Sequence, residues 1–127
     1  MGSEGRPAAK ERGIEAPFVS FAIGDQISRI KGENTWNTSD RNAVTLVHNE
    51  HVHVTLIAFH KGASLHEHEV EGPITVYVVE GSIKFTVGDD TCTVKREGFL
   101  SLERTIPHDL EALEESVVLL TILLEKK

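Results

Sequence analysis

A chain of 127 residues, 39% hydrophobic and 26% charged, is near the commonest size for one domain and is long enough to bury one core. Thirteen Lys and Arg against 20 Asp and Glu give a net charge of -7, which repels phosphate backbones and argues against nucleic acid as a partner. The longest apolar run, 117–124 with Thr121 inside it, falls short of the roughly 20 residues a bilayer crossing needs, so no membrane contact is expected. "MGSEGR" opens no apolar signal core, and the expected location is the cytoplasm.

Residues 1–17, "MGSEGRPAAKERGIEAP", carry three basic and three acidic side chains and almost nothing apolar, so they read as a flexible N-terminal tail ahead of one domain over 18–127. "GDQISRIKG" predicts a short helix with Asp25 as N-cap, Ile27 and Ile30 on one side and Gly32 just past its end. From Ala43 the pattern becomes all-β. Strands are expected at Ala43–His48, His51–His60, Ile74–Glu80, Ser82–Gly88, Thr91–Lys95, Phe99–Glu103, His108–Leu113 and Val117–Leu124, parted by turn residues at intervals suited to a sandwich or barrel. Gly81 and Gly98 fall at strand junctions, where a positive φ or a close backbone approach is expected. Cys92, the only cysteine, rules out an intrachain disulfide and reads as a small buried thiol on a strand.

"SIKFTV" alternates, with Ile83, Phe85 and Val87 on one face and Ser82, Lys84 and Thr86 on the other. "PITVYVV" and "SVVLLTILL" are apolar on both faces and so need two covers, one of them beyond the core. A second copy of the chain supplies that cover in a homodimer; the alternative is the N-terminal segment with Phe18, Phe21 and Trp36.

Seven histidines are the one compositional excess. His66 and His68 lie one residue apart, so on an extended backbone they share a face about 6.5 to 7 Å apart and can converge on one metal. A pair alone is weak, and His108, after Pro107 at the entry to a later strand, is the best third donor if the fold brings it there. His48, His51, His53 and His60 read as solvent-facing or hydrogen-bonded strand residues.

"GASLHEHEVEGPITVYVVEG" followed by "GFLSLERTIPH" resembles the two motifs of the cupin superfamily, over roughly residues 43–124, and most resembles its small single-domain members. The resemblance implies an antiparallel jelly-roll barrel and metal-ligand roles for His66, His68 and His108, the cofactor being a divalent ion among Zn, Mn, Fe, Ni and Cu. One position departs. The glutamate usual seven residues before the first motif's closing glycine is Ile74 here, which leaves Glu67, Glu69, Glu71 or water as a fourth ligand.

Three classes of function follow. In the first, the metal polarises a small oxygen-bearing molecule or activates water or dioxygen, as in oxygenase- or isomerase-like chemistry, with no catalytic base identified. In the second, the same cavity binds or senses a small molecule without metal, the histidines hydrogen-bonding or titrating near cellular pH. The third is a dimeric barrel without pocket chemistry. Nucleophilic catalysis has little support, since Ser64, Ser82 and Ser101 lack a glycine elbow and Cys92 has no adjacent histidine.

Overall fold

The computed structural model describes residues 18–67, 72–103 and 106–124; the expected tail over 1–17 lies outside them. Two helices come first, α1 at Ile23–Lys31 and α2 at Asn34–Thr38. Nine strands follow: β1 at Arg41–His48, β2 at Val52–Phe59, β3 at Ser64–Glu67, β4 at Ile74–Glu80, β5 at Ser82–Val87, β6 at Asp90–Lys95, β7 at Phe99–Leu102, β8 at His108–Ala112 and β9 at Ser116–Leu123. Helix α2 and strand β3 are the elements that sequence pattern alone misses. Both are too short to show a period.

Helix α1 buries Ile27 and Ile30, as its spacing predicts, and Gly32 closes it by donating its N–H to Ser28 O and Arg29 O. Asp25 is not its N-cap. That position belongs to Ala22, which offers no side-chain cap, and Asp25 sits inside the first turn, where a carboxylate still suits the helix dipole.

The strands form an antiparallel jelly roll of two sheets, one in the order β1-β2-β9-β4-β7 and the other β3-β8-β5-β6. Their facing sides make the main core, where Phe59, Ile74, Val76, Val78 and Val118 of the five-stranded sheet meet Ile83, Phe85 and Leu110 of the four-stranded one. The Arg41 guanidinium ties the sheets together on the β1 side: it donates to Ser64 O at 2.6 Å and lies over the Phe59 ring.

The outer face of the five-stranded sheet is covered by the chain itself over part of its width. Ile27, Ile30 and Trp36 pack there on Leu46, Leu56, Ala58 and Val117 in a second core, with Phe21 against its margin. Phe18 does not join them and is exposed. The helical cover stops short of the β4–β7 side. There Tyr77, 36% exposed, and Phe99, 64% exposed, stand opposite each other in register, and Leu119 pairs with Tyr77 on its other side.

Gly81 has φ +84°, and a Cβ there would collide with Ser116 Oγ and Glu115 O, so both the turn and the close approach require glycine. At Gly98 the close approach alone applies, because a Cβ would sit 2.8 Å from Lys95 O. Cys92 is exposed rather than buried: β6 bonds only β5, at the edge of its sheet, and five of its six residues face solvent.

Candidate functional site

Register assembles one end of the jelly roll. Across the five-stranded sheet, His48 pairs with His53, His53 with Ile122, Ile122 with Ile74 and Ile74 with Leu102, so these five side chains share one row on the face toward the main core. Across the other sheet, β3 ends and β8 begins at the same level, with His66 opposite Asp109 and Glu67 opposite His108. A cavity of about 20 Å³, room for about one water molecule, lies inside this end; counting the solvent-open space at its mouth gives about 380 Å³. Its wall includes Leu65, Ile74, Phe85, Leu110 and Ile122, with His108 as its one polar residue among those described.

His108 is 7% exposed and stacks on Phe85 with ring centroids 5.2 Å apart. Its Nδ1 lies 2.9 Å from Ile106 O. A carbonyl only accepts, so Nδ1 carries the proton and donates, which leaves Nε2 of the neutral ring as an acceptor without a hydrogen-bond partner among the described residues. The arrangement therefore presents one nitrogen lone pair inside an apolar wall.

His66 faces the other way. Buried Ala63 and cavity-lining Leu65 set the inward phase of this strand, so His66, one step on, projects outward. There its Nδ1 meets Asp109 Oδ1 at 2.6 Å, with both side chains more than half exposed. His66 and His108 thus stand on opposite faces of one sheet, and the fold does not bring them together. His68, Glu69 and Glu71 lie outside the described residues.

The other histidines have separate surroundings. His60 stacks on Trp36 at 3.6 Å and lies 2.8 Å from Trp36 O, joining the end of β2 to α2. His51 sits in the β1–β2 turn, 3.3 Å from Glu50. His48 and His53 stack on each other, with centroids 4.6 Å apart. Sequence spacing places His51 and His53 together; the cross-strand partner of His53 is His48, a pairing that only hairpin register reveals.

With this geometry in hand, residues 52–123 match the family model described as "Cupin domain", more than half of the chain. The chain belongs to the cupin domain family. Solved structures agree on the fold. A conserved protein of unknown function from Streptococcus pyogenes is 24% identical, with a TM-score of 0.65 over 68% of this chain and 76% of that one. An RmlC-like cupin from Desulfovibrio desulfuricans is 27% identical, with a TM-score of 0.58 over 65% and 81%. A salicylate 1,2-dioxygenase from Pseudoaminobacter salicylatoxidans, at 11% identity, superposes with a TM-score of 0.73 over 86% of this cupin but only 36% of its own chain. The curated proteins contain no match.

Cupins hold divalent metals in many cases, so the donor set decides whether this one fits. Among the described residues no three His, Cys, Asp or Glu side chains converge as a metal site would require. Ile74, at the position expected of a glutamate, is buried in the cavity wall, and the remaining named lining residues except His108 are apolar. Among the described residues this wall offers one imidazole, and one imidazole alone does not supply the several donors a divalent ion needs to replace its water. No helix among the described residues is long and apolar enough to cross a membrane.

Proposed function

We propose that this cupin is a metal-free binding module for a small apolar molecule that carries one hydrogen-bond donor, a hydroxyl or an N–H. The observation that carries the reading is His108: its Nδ1–H is committed to Ile106 O, and among the described residues its Nε2 is the one side-chain acceptor in a wall of aliphatic and aromatic side chains. An apolar body gains from displacing water there, and its single donor meets a nitrogen that has no hydrogen-bond partner among the described residues. The enclosed part of the cavity holds about one water, so the apolar body of a ligand would occupy the solvent-open mouth with its donor turned inward.

The competing reading holds a divalent ion on His66, His68 and His108, and one set of measurements separates the two. Thermal-shift and NMR titrations with phenol, cyclohexanol and their parent hydrocarbons, on the unmodified chain and on His108→Phe, form the first arm. The alcohols should bind, the hydrocarbons more weakly, and His108→Phe should erase the difference. Elemental analysis of the unmodified chain, His66→Ala and His108→Ala forms the second arm. Near-stoichiometric metal lost in both variants would establish the three-histidine site and sink the metal-free reading.

A further inference from the structure

The β1–β2 hairpin carries a feature that neither the fold nor the cavity uses. His48 and His53 are cross-strand partners, and their rings stack with centroids 4.6 Å apart and planes inclined by 18°. The next pair toward the turn is bonded from Asn49 N to Val52 O at 3.1 Å, so His48 and His53 occupy the closer, non-hydrogen-bonded kind of site, where facing Cα atoms are about 4.5 Å apart. No hydrogen bond engages either ring among the described residues, so the pair presents nitrogen lone pairs with nothing assigned to them. His48 is exposed and His53 half-buried, which leaves one side of the pair open to solvent.

The backbone beneath them is fixed. Asn49 Oδ1 accepts from His51 N at 2.8 Å and from Val52 N at 3.0 Å, locking the turn that sets the register of the two histidines. Imidazole χ2 rotates within a broad well, so the stacked rings are free to turn and aim one nitrogen each at a common point. Two imidazoles then reach a common ion at about 2.0 to 2.1 Å each, on a support already held in place. His51 stays with Glu50 and is not part of the pair.

We propose that His48 and His53 form a two-imidazole site for a borderline transition-metal ion, Cu²⁺ above Ni²⁺ and Zn²⁺, at the rim of the jelly roll, with water completing the coordination. Two nitrogen donors with open positions suit the tetragonal preference of Cu²⁺, and the affinity order follows the general trend for first-row ions. The site shares its row with the cavity-lining Ile122 but none of the residues of the His108 cavity, so it stands or falls independently of the small-molecule reading.

The test titrates Cu²⁺ into the full-length chain and reads bound ion by electron paramagnetic resonance and calorimetry. One Cu²⁺ per chain is expected, with splitting from two nitrogens that is lost in His48→Ala and in His53→Gln and kept in His51→Ala and His108→Phe. A circular-dichroism melt of each variant establishes that it is folded. Should His53→Gln unfold, His48→Ala alone decides, because its side chain is exposed. No binding by the unmodified chain below roughly 1 mM, or a two-nitrogen signal that survives His48→Ala, overturns the proposal.

Discussion

The two faces of the five-stranded sheet solve the same burial problem differently. The inner face is closed by a second sheet whose strands come from distant parts of the sequence, and it excludes solvent from Phe59, Val76, Val78 and Val118. The outer face is closed by nearby chain, α1 and α2 packing chiefly on β1, β2 and β9 and reaching Val79 at the end of β4. A continuous sheet of covering strands protects evenly. A pair of short helices protects as far as they reach and leaves Tyr77 and Phe99 bare. Strands that read as apolar on both faces therefore announce a second cover without saying what supplies it.

The sharpest way to break this contrast is to hollow each core in turn. Phe59→Ala, in the inner core, should cost about 3 to 5 kcal/mol in denaturant unfolding, because distant strands on both sides hold the space open. Ile30→Ala, in the outer core, should cost about 2 to 5 kcal/mol, and at the lower end if α1 shifts to fill the gap. Native-state hydrogen exchange distinguishes the two. Phe59→Ala should speed exchange throughout both sheets, whereas Ile30→Ala should speed it first in α1 and α2 and leave β5 and β8 protected. Equal acceleration everywhere in both variants would show that the helices are no less integral than the second sheet.

The bare strip is the surface on which the expected homodimer can be tested. Tyr77, Phe99 and Leu119 form an apolar row, and the groove beside it, about 580 Å³ between α1 and β4, is rimmed by Glu80, Arg96 and Glu97. Both signs of charge on one rim suit a two-fold contact, in which basic and acidic groups of identical patches face each other. Light scattering at micromolar concentration should give twice the mass of one chain, and Phe99→Lys should return it to a single chain without lowering its thermal midpoint. A monomeric unmodified chain would leave the strip without a partner.

Comparing the faces also shows what could be read from residues alone. The strand positions from Ala43 onward other than β3, the inward phase of Ile83 and Phe85 and the helix at Ile27 and Ile30 follow from periods of 2 and 3.6, which local sequence carries. The site was less legible. His66 and His68 have the spacing of a chelating pair, but spacing does not say which face the pair takes. The clue lay next door: Ala63 and Leu65 alternate as inward residues, which puts His66 in the outward phase, where Asp109 meets it. The His48 and His53 pair was hidden for another reason, since it depends on how the hairpin closes around Asn49 rather than on either strand's own pattern.

A smaller effect concerns how the helical cover is fastened at its end. Lys31, the last residue of α1, donates to Glu115 Oε2 at 2.7 Å and to Glu80 Oε1 at 3.3 Å, reaching the ends of the strands it helps to cover. Partial burial disfavours its charge, yet the hydrogen bonds and charges of Glu115 and Glu80 outweigh that and raise its pKa above the ordinary 10.5. A raised pKa in the folded state means that the contribution is complete below 10.5, the unfolded value, and is lost as pH climbs through the folded one. The side chain is partly exposed, so the contribution should stay below about 1 kcal/mol. Lys31→Met should therefore lower the thermal midpoint slightly at pH 8, and the gap between variant and unmodified chain should close above pH 10.5, in step with faster exchange at the end of α1 in the unmodified chain. A gap that stays constant across that range would mean that the apolar stem of the lysine, and not its charge, does the fastening.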